Sequence, residues 1–156
     1  MTRQILIAFA TAIKRVLLGL NLGDVELRAE PADRLETGWW YPDGPTVMVG
    51  VVGSFRTQAV LHMKPEVSLQ VASAMIGMPV TELDELASSA ICELGNMIMG
   101  NAATELSQLN LSVDITPASL LLGDKMRVQS LQPHVSLALE TSAGSVKLVL
   151  SAFEFE

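Results

Sequence analysis

The chain has 156 residues, 49% of them hydrophobic and 17% charged, which suits one folded domain over residues 1–156 and argues against global disorder. Ten Lys and Arg against seventeen Asp and Glu give a net charge of −7, a field that repels phosphate backbones, so nucleic acid is excluded as a ligand and a basic partner surface is favoured. Cys92 is the sole cysteine, which rules out an intrachain disulfide and a Cys-rich metal framework. The N-terminal apolar run is broken by Lys14 and Arg15, leaving neither a secretion signal nor a membrane span, so a cytoplasmic protein with no membrane partner is expected.

Ile5, Leu6, Phe9, Ile13, Val16, Leu17 and Leu20 recur at helical spacing and predict a first helix ending near Gly23. Val25, Leu27 and Ala29 then alternate with Asp24, Glu26, Arg28 and Glu30, the period of a half-buried strand that stops at Pro31. Residues 31–45 read as a loop carrying Trp39, Trp40 and Tyr41, aromatics that either pack on their own domain or mark a binding surface. Apolar runs at 46–52 and 57–63 around Gly53 and Ser54 predict an antiparallel hairpin. Pro65 opens a second helix that Gly77 and Pro79 stop, and a long third helix follows, with Thr81 as its expected N-cap and helical periodicity to about Leu109.

Beyond it the period changes to two. Strands are expected at 111–116, 120–122 and 126–131, and Val135, Leu137 and Leu139 answer Val146, Leu148 and Leu150 across a turn at 142–144. The fold class is therefore α+β: about three helices, one of them long, packed on a largely antiparallel sheet of six or so strands.

His62 and His134 fall in separate strands with no Cys or carboxylate at metal-ligand spacing, so a structural or surface role is expected and no metal site is read. There is no glycine-rich phosphate loop, no His-Glu-x-x-His pattern and no nucleophile elbow. The long helix is more informative. At about 100° per residue, Leu83, Ala87, Ala90, Ile91, Leu94, Ile98 and Ala102 share a core-facing side, while Ser89, Glu93, Asn96 and Gly100 line the opposite one. Gly95 and Gly100 each cost about 1 kcal/mol in a helix interior, and their presence predicts close approach by something flat. Such a strip is also compatible with an ordinary solvated face, with 39–41 as the true interface.

The run Ser89-x-x-x-Glu93-x-x-Asn96, on a helix that continues Met-x-Met-Gly-Asn, resembles the signature of the CheC, CheX and FliY family of chemotaxis phosphatases, and its single copy is most similar to the CheX branch. The order of elements matches over nearly the whole chain, and Pro117 fills the place of a proline that the family pattern puts about twenty residues after the Asn. A second motif candidate, Glu105-x-x-Gln108, has an amide of the wrong length and a Glu turned toward the core side. The resemblance implies a hydrolase of two-component signalling that removes the aspartyl phosphate of a CheY-like response regulator. It further implies a homodimer, which Met97, Met99 and the hairpin edges would suit.

Hydrolysis of an acyl phosphate needs a water held in line with phosphorus, and positioning with charge neutralisation does most of the work. Asn96 can donate to and accept from a water yet cannot act as a base at neutral pH, so its role would be orientation. Glu93 beside the phosphoryl group would add repulsion and is better used to grip a cation; the resemblance implies a salt bridge to the receiver's active-site lysine. Ser89 and Gly100 would be partner-binding positions of contact and clearance. No cofactor of its own is expected, because Mg²⁺ and the phosphorylated Asp would both belong to the receiver. The alternative is a noncatalytic receiver-binding or flagellar-switch-related module of the same superfold. Cys92, next to Glu93, has no cationic neighbour in sequence to activate it and is read as a packing residue.

Overall fold

Apolar side chains that return every three or four positions give the first helix, α1 (Thr2–Gly19), which buries Ile5, Leu6, Phe9, Ile13, Val16 and Leu17 on one side. The computed structural model describes residues 2–28, 36–40, 42–123 and 125–155. Among them α1 is followed by β1 (Glu26–Leu27), β2 (Glu36–Trp40), β3 (Thr46–Gly53), β4 (Phe55–Met63), α2 (Pro65–Ile76) and α3 (Glu85–Ser107). Then come β5 (Val113–Ile115), β6 (Ser119–Leu121), β7 (Val128–Thr141), β8 (Gly144–Ser151) and β9 (Glu154–Phe155). The class is α+β, with three helices on one antiparallel sheet of nine strands among the described residues.

The strand order is β1-β7-β8-β4-β3-β5; β2 also pairs with β7, β6 with β3 and β9 with β4, every pairing being antiparallel. Val47, Val49 and Val51 on β3, Leu137 and Leu139 on β7, and Val146, Leu148 and Leu150 on β8 alternate inward to meet the helices in one hydrophobic cluster. At the far end Phe153 stands between Phe9 and Phe55, with ring centroids at 6.4 and 5.2 Å.

Several boundaries differ from the sequence reading. The segment expected to be loop at 31–45 contains β2, which places Trp39 and Trp40 on a sheet edge opposite Gln129 and Val128; Tyr41 lies outside the described residues. The first strand, β1, pairs Glu26 and Leu27 with Glu140 and Leu139, and the Arg28 backbone N–H carries the contact on to the Ala138 carbonyl at 2.8 Å; Ala29 and Glu30, which the expected alternation includes, lie outside the described residues. The two short strands expected at 126–131 and 135–139 are one, β7. Pro133 interrupts their sequence pattern but not the strand: a step of two residues on β2, Glu36 to Gly38, is matched by a step of four on β7, His134 to Ser130, so the proline sits in a bulge where a missing N–H is tolerated. Its carbonyl accepts from the Ala152 backbone N–H at 2.7 Å.

Thr81 does not cap α3. Asp84 does, with an extended backbone and a carboxylate oxygen that accepts from the Ala87 N–H at 2.8 Å. An ionised acceptor one position before the first turn answers both the orphan N–H and the positive end of the helix dipole, a contribution of about 1 kcal/mol.

Candidate functional site

Helix α3 is about 34 Å long by its 1.5 Å rise per residue and lies between α1, α2 and the sheet. Ala87, Ile91, Leu94, Ile98 and Ala102, expected on its core side, are buried there, and Met99 and Leu106 join them. Ala90 is half-buried at the margin, while Leu83, expected on the same stripe, precedes the N-cap Asp84 and lies half-buried outside the helix. Met99, which the sequence reading placed beside Met97 as a candidate for self-association, is 2% exposed, because its position on the helix turns it toward the sheet.

On the opposite side Ser89, Glu93 and Gly100 are exposed and Asn96 is half-buried. Positions four, three and four residues apart on one helix fall on one face. The side chains of Ser89, Glu93 and Asn96 make no hydrogen bond to another described residue, so their polar atoms point to solvent or to a partner. Their neighbours behave differently: Asn101 donates from Nδ2 to the Met97 carbonyl at 2.9 Å and Thr104 donates from Oγ1 to the Gly100 carbonyl at 3.2 Å. A carboxylate and a carboxamide one turn apart, both unengaged, can hold a cation and a water at the same time.

The two glycines of this helix have different reasons. Gly95 is buried against β3, where an added Cβ would stand 2.8 Å from Val47 Cγ1, so it serves packing on the sheet and not approach by a partner. Gly100 has no heavy atom within 4 Å of a Cβ position, and nothing among the described residues demands a glycine there.

Glu105 of the discounted second motif is held by Arg15 of α1 at 2.6 Å and is mostly covered, which removes it from the outward face. Pro117 is exposed in the turn between β5 and β6, on the edge of the sheet beside β3. Both histidines lie in strands. His62 is pushed down in pKa, chiefly by burial, and its Nδ1 lies 3.3 Å from the buried Thr46 hydroxyl; His134 Nδ1 is buried without a hydrogen-bond partner among the described residues. Among the described residues no group of three or more His, Cys, Asp or Glu could hold a metal ion, and no helix is long and apolar enough to cross a membrane.

Burial pushes the Cys92 thiol up from its ordinary pKa, so the thiolate is scarce at neutral pH. Alkylation by iodoacetamide is expected to stay slow at pH 7 and to accelerate only above the ordinary thiol range. Rapid labelling at pH 7 would contradict a packing role.

A family model described as the chemotaxis phosphatase CheX matches residues 45–141, from β3 through the end of β7. The CheY-P phosphatase CheX of Thermotoga maritima is 39% identical over 90 residues, covering 57% of this chain and 58% of that protein, so the alignment spans less than two thirds of the relative. Among solved structures, a chemotaxis protein CheX from Desulfovibrio desulfuricans is similar with a TM-score of 0.83 at 20% identity, over 96% of this chain and 99% of that one. A CheX–CheY–BeF₃–Mg²⁺ complex from Borrelia burgdorferi is similar with a TM-score of 0.69 at 23% identity, over 94% and 96% of the two chains. The motif helix lies wholly within the matched segment, and the chain belongs to the chemotaxis phosphatase CheX family.

Proposed function

We propose that this chain is a protein phosphatase acting on the aspartyl phosphate of a CheY-like response regulator. One observation carries the reading: Glu93 and Asn96 stand together on the outward face of a helix whose other side is buried, and neither side chain is engaged by a described residue. The reading is supported by the name of the Thermotoga relative, a CheY-P phosphatase, and by the Borrelia complex, in which a CheX is found with CheY, BeF₃ and Mg²⁺.

In this reading the receiver supplies the phosphorylated Asp and the Mg²⁺, which neutralises phosphoryl oxygens. Glu93 pairs with a receiver lysine and fixes the docking register. Asn96 then places its amide against a water, accepting through Oδ1 and donating through Nδ2, so that a lone pair points at phosphorus in line with the bond to the Asp carboxylate. Water attacks phosphorus, the P–O bond to the carboxylate breaks with its electron pair left on the receiver's Asp, which is restored as a free carboxylate, and inorganic phosphate departs carrying both protons of the water. Ser89 contacts the receiver and Gly100 leaves room for it. A cytoplasmic setting and a homodimer, paired through exposed sheet edges, belong to the same proposal.

The test is phosphate release from a phosphorylated CheY-like receiver in the presence of Mg²⁺, with and without this protein. Acceleration over the receiver's own decay is expected. Decay that is unchanged across several cognate receivers, with binding retained, would replace catalysis by the noncatalytic docking alternative.

A further inference from the structure

The outward face of α3 continues sideways past the motif. At 100° per residue, Asn96, Ser89, Gly100, Glu93, Leu86 and Met97 follow one another around the helix in steps of roughly 20°, so Glu93 closes the motif's line and also belongs to a second line with Leu86 and Met97. Both large apolar residues of that second line face solvent: Leu86 is 59% exposed and Met97 37%. Met97 stands one turn, about 6 Å, beyond Glu93, and Leu86 two turns, about 10 Å, before it. The carboxylate is therefore framed along the helix by two exposed hydrophobic side chains. Leu86 also borders a pocket of about 150 Å³ between the α2–α3 connection and the first turn of α3, with Met78, Pro79 and Val80 on its walls, and Met78 is itself 58% exposed.

Single exposed apolar residues are common on protein surfaces. Here they coincide with the functional line. An ion pair in open water is weak and easily screened, and it gains strength when the surrounding contacts exclude solvent. A lysine fits such a frame, since it carries its charge at the end of a four-carbon stem that can lie along hydrophobic surface. We propose that Leu86 and Met97 are receiver-binding anchors that close over the Glu93 ion pair and set affinity for the receiver, an inference that rests on the function proposed above. The occupant is the receiver because the two lines belong to one helix face and because the charge of Glu93 complements the partner's lysine.

The experiment uses Leu86→Gln and Met97→Gln, since Gln keeps side-chain length and helix propensity, with Leu18→Gln on the exposed side of α1 as a control. Binding of a receiver loaded with Mg²⁺ and beryllofluoride is measured by calorimetry, and KM and kcat by phosphate release. Each variant is expected to weaken binding and raise KM by about fivefold, and the pair by about tenfold or more, with the loss falling on KM instead of kcat. Leu86→Gln should also cost less in a Glu93→Gln background, a coupling that a contact unrelated to the ion pair would not show. Affinity and KM within about 1.5-fold of the unaltered protein in both variants, or full additivity with Glu93→Gln, would overturn the proposal. An Asn96→Ala protein that still accelerates phosphate release would overturn the reaction reading alone, because the binding data judge the anchors independently; a protein that binds no receiver at all would overturn both.

Discussion

Replacing Asn96 by alanine is expected to remove nearly all acceleration of receiver dephosphorylation, at least about 100-fold, while the affinity for the phosphorylated receiver stays within about twofold. The amide is the group best placed to orient a water, and a water misplaced by about 1 Å loses roughly that much rate. Asn96→Asp should fail equally, since a carboxylate cannot donate a hydrogen bond and brings negative charge against a phosphoryl group. Asn96→Gln keeps the amide but moves it outward by one methylene, and a loss of at least tenfold is expected if geometry and not mere polarity is the requirement. Glu93→Ala should act on the other parameter, raising KM by about tenfold or more through loss of the charge-assisted contact. Steady-state phosphate release with a titrated receiver separates the two. Asn96→Ala with undiminished kcat would exclude water orientation by this residue.

Alanine at the two glycines of α3 is expected to change stability in opposite directions. At Gly95 the new methyl would stand 2.8 Å from Val47 Cγ1 and 3.7 Å from Val49 Cγ2. Val47 is 1% exposed and β-branched, so it has little freedom to turn away, and the cavity beside it, about 10 Å³, is too small to take a methyl. Relief would require α3 to lift from β3. A net loss of about 1–3 kcal/mol is expected despite the better helix propensity of alanine. At Gly100 the methyl meets nothing within 4 Å, so the propensity gain of up to about 1 kcal/mol should be realised. Because Gly100 faces the proposed receiver, that stabilised variant should be the poorer phosphatase. Urea denaturation reads the first effect of each and phosphate release the second. A Gly95→Ala protein as stable as the unaltered one would show that β3 and α3 yield more easily than their packing implies, and a Gly100→Ala protein with full activity would remove the clearance role.

Much of this was legible along the chain because it depends on short periods. The i, i+3, i+4 recurrence in 5–17 and 87–102 settled which sides of α1 and α3 are buried, and the apolar runs at 46–52 and 57–63 and the alternation in 135–150 settled the two main hairpins. The α3 cap was missed in favour of Thr81 because three acceptors, Thr81, Glu82 and Asp84, precede the helix and only the backbone path shows which oxygen meets an N–H. β2 was missed because Pro and Gly surround Trp39 and Trp40, and a strand so short exists only where a partner ladder receives it.

Local order along the chain thus determined the helices, the α+β class and the placing of Ser89, Glu93, Asn96 and Gly100 on one face, since a helix carries its own geometry from residue to residue. Tertiary structure alone decided that Gly95 belongs to the sheet contact and Gly100 to the surface, that Met99 is core, and that Pro133 lies within a bulged continuous strand. Each of those depends on what arrives from a distant part of the chain, Val47 against Gly95 and β2 against β7, and no local spacing encodes an arrival.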